Sequence, residues 1–403
     1  MKRSTSTNNR AAGILKAFAF LSVLAAYLFG LLGEEKDYQE KLLQAFPDMS
    51  IISSSGNGPV CFHADFPEGE KYVLLYKTMG WGGPALVATR IDTSGYVEEA
   101  KVLDHHETPA FFASLLKNDY FRQFQGKYIG DRFSIDEDVQ AVSGATISSL
   151  GFNNALRKSC HYLAESEFQM EMAEDDMKIS FADPGYLILL LFVLAYLGSR
   201  FGFSRIRILI QLSAVVIMGF ILNYPLSMSH ISSLFLGFFP NPESNITWYI
   251  LLGSLLAMMA FAGKNLYCTW ICPFGAIQDL LNKVSSISLS LPSWLKKYSR
   301  WSGGVIAWFS VCVIFISRNP ALGTFEPFAA LFSFKGFGII WIVLPVLIFS
   351  SFFIRRMWCR FFCPVGFLLN GACKMRNRTM KQIHTKDENK EVKLYRQHHD
   401  HCA

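Results

Sequence analysis

Charge is scarce in this 403-residue chain: 17% of residues are Asp, Glu, Lys or Arg against 51% hydrophobic, and the mean hydropathy is +0.25. So low a charged fraction excludes a disordered polyelectrolyte and an ordinary soluble enzyme. With 15 Pro and 29 Gly it is no collagen-like or low-complexity chain either. Acidic residues are nearly missing from residues 184–403, which hold 7 Asp/Glu beside 21 Lys/Arg, whereas residues 34–183 hold 25 beside 13. Histidine is missing from every long apolar run, the nine lying at 63, 105, 106, 161, 230, 384, 398, 399 and 401. That excludes a bis-histidine haem within a membrane. The cations sit in short loops beside apolar runs, which argues for membrane topology and against nucleic-acid binding.

What the chain has in abundance is apolar length. Six segments approach the roughly 20 residues that cross about 30 Å of hydrocarbon: 12–33, 185–199, 207–223, 246–263, 302–317 and 337–354. Pro345 is expected to kink the last. Lys2, Arg3 and Arg10 precede the first; Arg200, Arg205 and Arg207 follow the second; Lys264, Lys283, Lys296, Lys297 and Arg300 follow the fourth; Arg355, Arg356 and a basic tail follow the sixth. The alternate connections, 224–245 and 318–336, hold only Arg318 and Lys335. This bias predicts a multi-pass bacterial inner-membrane protein with both termini cytoplasmic and the acidic residues 34–183 outside. Residues 1–33 are read as a retained anchor, with cleavage near Val23-Leu24-Ala25 as the alternative.

The acidic segment predicts strands over 71–104, interrupted by Gly80-Trp81-Gly82-Gly83-Pro84, then helices near 109–123 and 147–168. Phe152, Leu156, Cys160 and Leu163 share one face of the last. Where a loop becomes that helix stands Ser143-Gly144-Ala145-Thr146-Ile147-Ser148-Ser149. Small residues there let a phosphate approach the backbone, and helix N–H groups stabilise its charge. The Thr146 hydroxyl is placed to form a phosphoester. A plain N-cap and a hairpin turn explain either motif taken singly.

Taken in order, GWGGP, HHETP (105–109) and SGATISS resemble the exported FMN-binding domain family, which includes subunits of the Rnf and sodium-pumping quinone reductase complexes and NosR-type proteins. The resemblance implies that a separate flavin transferase joins FMN covalently to Thr146, with Ser143, Gly144 and Ala145 around the phosphate. It also implies that Gly82, Gly83, Glu107 and Thr108 lie near the flavin. The chain departs from the family pattern at Gln140, where Asp is frequent, and at Ala110, where Gly is frequent.

Residues 264–281 and 355–370 repeat a cation, an aromatic, Cys-x3-Cys-Pro and a following Gly. Brought to one membrane face, Cys268, Cys272, Cys359 and Cys363 offer four thiolates, which a [4Fe–4S] cluster requires. A tetrahedral zinc site, or thiols packed as small hydrophobes, uses the same residues. Cys61, Cys160, Cys312, Cys373 and Cys402 take the packing reading. The tail HHDHC (398–402) is read as solvated. The paired hairpins resemble the polyferredoxin-like membrane domain of NosR-type and PceC-type membrane flavoproteins.

The expected architecture is therefore an α+β extracytoplasmic (periplasmic) FMN-binding domain over 34–183. It is fused to an all-α polytopic membrane domain over 184–373, with about six transmembrane helices in total and a basic tail over 374–403. The expected function is membrane electron transfer between a cytoplasmic-side cluster, or the quinol pool, and the exported FMN, serving a respiratory reductase through a quinone or redox protein. The alternative is a maturation or regulatory protein for a partner metalloenzyme. The outer-loop residues Tyr224, Ser227, Ser229, His230 and Glu326 are read either as quinone contacts or as caps and packing.

Overall fold

The computed structural model describes residues 3–32, 38–55, 59–135, 137–172, 183–242, 245–285, 289–336 and 338–400. The chain divides into two compact units: Met1–Asp183 with Leu226–Tyr249 and Trp308–Val346, and Pro184–Pro225 with Ile250–Ala307 and Leu347–Ala403.

The first unit opens with helix α1 (Arg3–Leu32) and helix α2 (Tyr38–Ala45). Five strands follow: β1 (Ser50–Ser55), β2 (Val60–Phe66), β3 (Gly69–Met79), β4 (Pro84–Asp92) and β5 (Val97–His105). They form one antiparallel meander in chain order. The turns carry the expected chemistry: Gly95 has φ +88°, and the Asp92 carboxylate accepts from the Ser94 and Tyr96 N–H groups.

Both faces of the sheet are covered, which is why β4 reads as a nearly continuous apolar run and not as an alternation. Leu42 of α2 and Phe46 just after it pack on one face, against Phe62, Val73 and Ala88. On the other lie α3 (Pro109–Lys117), a 3-10 turn Tyr120–Phe124, and α4 (Thr146–Ser166). Phe152, Leu156, Cys160 and Leu163 of α4 are all fully buried, as their spacing predicts. The helix expected over 109–123 is broken instead, because Asp119 adopts a left-handed φ of +49°. Strands β1 and β2 extend the sheet before residue 71.

The same unit contains α7 (Met228–Leu236) and α11 (Phe328–Phe332). Gly30 of α1 lets its backbone approach Phe315 so closely that a Cβ would lie 2.0 Å from the carbonyl oxygen. The Trp308 indole N–H donates to Ser22 Oγ (2.9 Å). Such small-residue packing is how apolar helices associate in lipid.

The second unit is helical. It holds α5 (Tyr186–Phe201), α6 (Ser204–Ala214) continued by a π-helical segment Val215–Ile221, α9 (Pro273–Ser285), α13 (Met357–Phe361) and α14 (Pro364–Asp400). The unit boundaries fall within α8 (Ile246–Ala262), α10 (Ser293–Ser317) and α12 (Ile340–Phe353), which carries Pro345.

Among the described residues, Gly13–Leu32 and α10 are long and apolar enough to cross a bilayer. The apolar helices α5, α8 and α12 have 16, 17 and 14 residues, or roughly 21–26 Å at about 1.5 Å per residue. Against the six expected, two spans therefore reach full length. The run 207–223 is divided where the helix becomes π-helical. Side chains such as Phe261 (82% exposed) and Phe349 (66%) face outward, an apolar surface suited to lipid.

Candidate functional site

Glu107 gathers the flavin motifs of the first unit around one carboxylate. It is buried, and its Oε1 accepts from the Trp81 N–H (2.6 Å) while Oε2 accepts from the N–H groups of Gly82 (3.0 Å) and Thr108 (3.1 Å). The Ser148 side chain of α4 lies beside the same carboxylate. Burial pushes the Glu107 carboxyl up, and the N–H donors of Gly82 and Trp81 oppose that shift. The GWGGP turn, closed by Gly80 N–H donating to Gly83 O (2.9 Å), thus sits on HHETP and on the start of α4. A Cβ on Gly80 would fall 1.7 Å from Glu107 Oε1, and one on Gly82 would fall 2.5 Å from the Thr108 nitrogen.

The SGAT loop is pinned from inside. Ser149 Oγ accepts from the Val142 N–H (3.0 Å) and donates to Ala145 O (3.1 Å), and Tyr120 donates its hydroxyl to Ser149 O (2.7 Å). Gly144 has φ +70°, a conformation that favours glycine. Helix α4 begins at Thr146, whose side chain is exposed. The N–H groups of its first turn have no partner within the helix and face the region an anion would occupy. An exposed hydroxyl at the head of a pinned helix fits a phosphate ester. The buried Glu107 acts on the motif backbones and not on open space.

Lys335 completes this region. Its Nζ donates to Ser143 O (2.7 Å) and Ser114 Oγ (2.8 Å). Sequence reasoning noticed it only as an outer-side cation. The outer-loop residues act as caps: Ser227 Oγ lies 2.7 Å from His230 Nδ1, the Met228 N–H donates to Glu326 Oε1 (2.8 Å), and the His230 ring meets Trp81 edge-on at 4.9 Å.

In the second unit both Cys-x3-Cys-Pro copies fold alike. The first cysteine lies in a short helical turn, Cys268 in the π-helical Tyr267–Ile271 and Cys359 in α13. The second cysteine follows that turn, as its cap at Cys272 and one residue past the cap at Cys363, and proline then opens the next helix, where its missing N–H costs nothing. The Cys272 N–H donates to Tyr267 O (2.7 Å) and the Cys363 N–H to Trp358 O (3.1 Å), the same five-residue step.

All four sulfurs lie in one another's electrostatic field, and three have a donor. The Gly275 N–H serves Cys272, Gln278 Nε2 serves Cys359 (3.6 Å) and the Gly366 N–H serves Cys363 (3.3 Å), while Asn265 Oδ1 accepts from the Cys268 N–H (3.0 Å). A Cβ on Gly275 or Gly366 would lie 3.7 or 3.5 Å from a cysteine sulfur, so glycine keeps that side open. Among the described residues no three His, Cys, Asp or Glu converge on a single metal ion. Four thiolates on two matched hairpins are the donor set that a [4Fe–4S] cluster takes. HHDHC (398–402) lies outside the described side chains.

Asp279 joins the two copies, a role sequence reasoning missed. Oδ1 accepts from Arg355 Nε and Arg356 Nε (both 3.0 Å), and Oδ2 accepts from Arg207 (2.9 Å), Arg356 Nη2 (2.7 Å) and Gln211 (3.1 Å). Arg356 also donates to Cys268 O (2.8 Å). Burial raises the proton affinity of this carboxyl, but hydrogen bonds and charge from Arg356 and Arg355 prevail and hold it at about 2. The available signal was isolation, since Asp279 is the only acid between Glu243 and Glu326.

The sequence matches the FMN-binding domain family over residues 80–161 and the 4Fe-4S binding domain family over residues 244–292 and 336–381. In carrying both domain types on one chain it is similar to NosR-type proteins. It is 27% identical over 186 residues to Protein NirI of Paracoccus denitrificans, covering 40% of this chain and 26% of that one. Regulatory protein NosR of Pseudomonas aeruginosa is 30% identical over 151 residues, 34% of this chain and 20% of its own length. The putative electron transport protein YccM of Escherichia coli is 28% identical over 119 residues, 26% and 33%. The matched stretches thus span a fifth to a third of these relatives.

Proposed function

We propose that the chain is a membrane electron-transfer protein with a covalent FMN outside and a [4Fe–4S] cluster on the cytoplasmic side. Residues 1–33 are its anchor, 34–183 the exported FMN domain, 184–373 the membrane domain, and 374–403 a cytoplasmic tail. The supporting observation is that one chain matches both cofactor-domain families. Flavin exchanges one or two electrons and the cluster one, so together they join two-electron to one-electron partners.

Thr146, Ser143, Gly144 and Ala145 hold the phosphate in this reading, and Glu107 with Gly82, Gly83 and Thr108 shapes the flavin side. Attachment is a maturation step: with a flavin transferase, Thr146 Oγ displaces AMP from a flavin adenine dinucleotide and its proton passes to the transferase. Cys268, Cys272, Cys359 and Cys363 hold the cluster, with the donors of Gly275, Gln278 and Gly366 lowering the electron density on sulfur. A quinone or a redox protein carries electrons between the two faces and on to a respiratory reductase.

Optical and EPR spectra of the purified protein test this. The expected result is a flavin band, about four iron atoms per chain, and flavin fluorescence on a denaturing gel that Thr146→Val abolishes. Flavin without iron, or reporter fusions placing both centres in one compartment, would overturn it.

Similarity to a relative named as a regulatory protein favours a second reading in which the centres service a partner metalloenzyme. Reoxidation of the reduced flavin by that partner much more slowly than its turnover, measured by stopped flow, would select this reading.

A further inference from the structure

Residue 335 lies far outside the FMN-binding match at 80–161, yet its ammonium rests on a loop inside that match. Lys335 follows α11, where Ala329 packs on the core beneath α4 and accepts the Lys335 backbone N–H through its carbonyl (3.2 Å). That docking fixes the side chain against Ser143 O and Ser114 Oγ. A Cβ on Gly144 would lie 3.2 Å from Nζ, so the ammonium covers the left-handed residue two places before Thr146.

Two of the three ammonium donors are used on neutral oxygens. Among the described residues no carboxylate pairs with Lys335, and partial burial alone pushes it below the usual lysine range. A cation withdrawn from water without an acidic neighbour marks the place of an anion. It is also one of only two cations in the connections where the positive-inside bias leaves almost none.

We infer that Lys335 is a phosphate-binding residue of the flavin site, its third N–H donating to the phosphodiester that links FMN to Thr146. This rests on the threonyl ester proposed above. The ester carries one negative charge, which one ammonium neutralises. The first-turn N–H groups of α4 and Lys335 then grip the same phosphate from different elements. The loop bearing Lys335 becomes part of the cofactor site.

The test uses the full chain in membranes or detergent. Expressed with the flavin transferase in limiting amount, Lys335→Gln should lower in-gel flavin fluorescence per protein by about fivefold to tenfold, and Lys335→Arg should restore at least half of it. Expressed without the transferase, the protein should melt higher in millimolar inorganic phosphate. That shift should persist in Thr146→Val and vanish in Lys335→Gln. Wild-type flavin content and an unchanged phosphate shift in Lys335→Gln would overturn the inference. A wild type as dark on the gel as Thr146→Val would instead remove the threonyl ester, and the phosphate shift would still decide whether Lys335 binds an anion. If Lys335→Gln does not fold, loss of the phosphate shift in Lys335→Arg overturns it and its retention supports it.

Discussion

At Gly82 the backbone of the flavin domain leaves no room for a methyl group. The atoms a Cβ would strike are the Thr108 nitrogen and the His106 carbonyl oxygen, at 2.5 and 2.7 Å, and neither can rotate away as a side-chain end could. Gly82→Ala must therefore separate the GWGGP turn from the segment that carries Glu107, breaking the N–H···carboxylate bonds that join them. We expect a loss of about 2–4 kcal/mol, read as a lower melting temperature together with loss of flavin loading. Gly371→Ala, in α14 with nothing within 4 Å of its Cβ, should be neutral or stabilise by up to about 1 kcal/mol. Thr146 was legible because small and hydroxyl residues before an apolar-periodic run announce a helix start, whereas Gly82 and Glu107 were legible only through the family resemblance. Lys335 was legible only as a charge out of place. Its partner Ser143 lies 192 residues away, and no local rule connects a lone lysine to a loop that distant.

The Cys-x3-Cys-Pro repeat shows how an element can be legible while its fastening is not. The spacing gave both turns and the proline that starts each following helix. It did not give Asp279, because a carboxylate that accepts from Arg207, Arg355 and Arg356 joins three chain segments through side chains alone. The strands β1 and β2 were missed for the opposite reason: SIISSS carries little apolar pattern, and it becomes a strand by pairing with β2 at the sheet edge. The Asp279 knot has a measurable titration. Its folded pKa of about 2 lies below the ordinary aspartate value of 3.8, so the stabilisation is full above about pH 4 and is lost as pH falls through about 2. The difference corresponds to on the order of 2 kcal/mol. Asp279→Asn should lower the melting temperature near neutral pH and narrow its gap to wild type between about pH 4 and pH 2. A gap that stays constant across this range would show that the carboxylate charge does not hold the two hairpins.

Across the whole molecule the two cofactor sites share no residue. The flavin motifs rest on a sheet and helices with their own core, built on Leu74, Val87, Phe152 and Leu156. The cysteine quartet rests on helices of the second unit. If each site is completed by its own unit, each cofactor can be removed without the other. Cys359→Ser keeps an acceptor for the Gln278 amide but offers iron a harder, less acidic ligand. Iron content and the EPR signal of the reduced protein should fall severalfold, while in-gel flavin fluorescence stays at the wild-type level. Thr146→Val should do the reverse, keeping iron and losing the fluorescent band. Loss of both cofactors in either variant would mean that one site is built only after the other is filled. Independent loss makes the pair useful for function, because the iron-free protein then reports whether the flavin can still be reduced by a quinol. Reduction at the wild-type rate would place the electron entry on the flavin side and relegate the cluster to servicing. Failure of that reduction would place the cluster in the current.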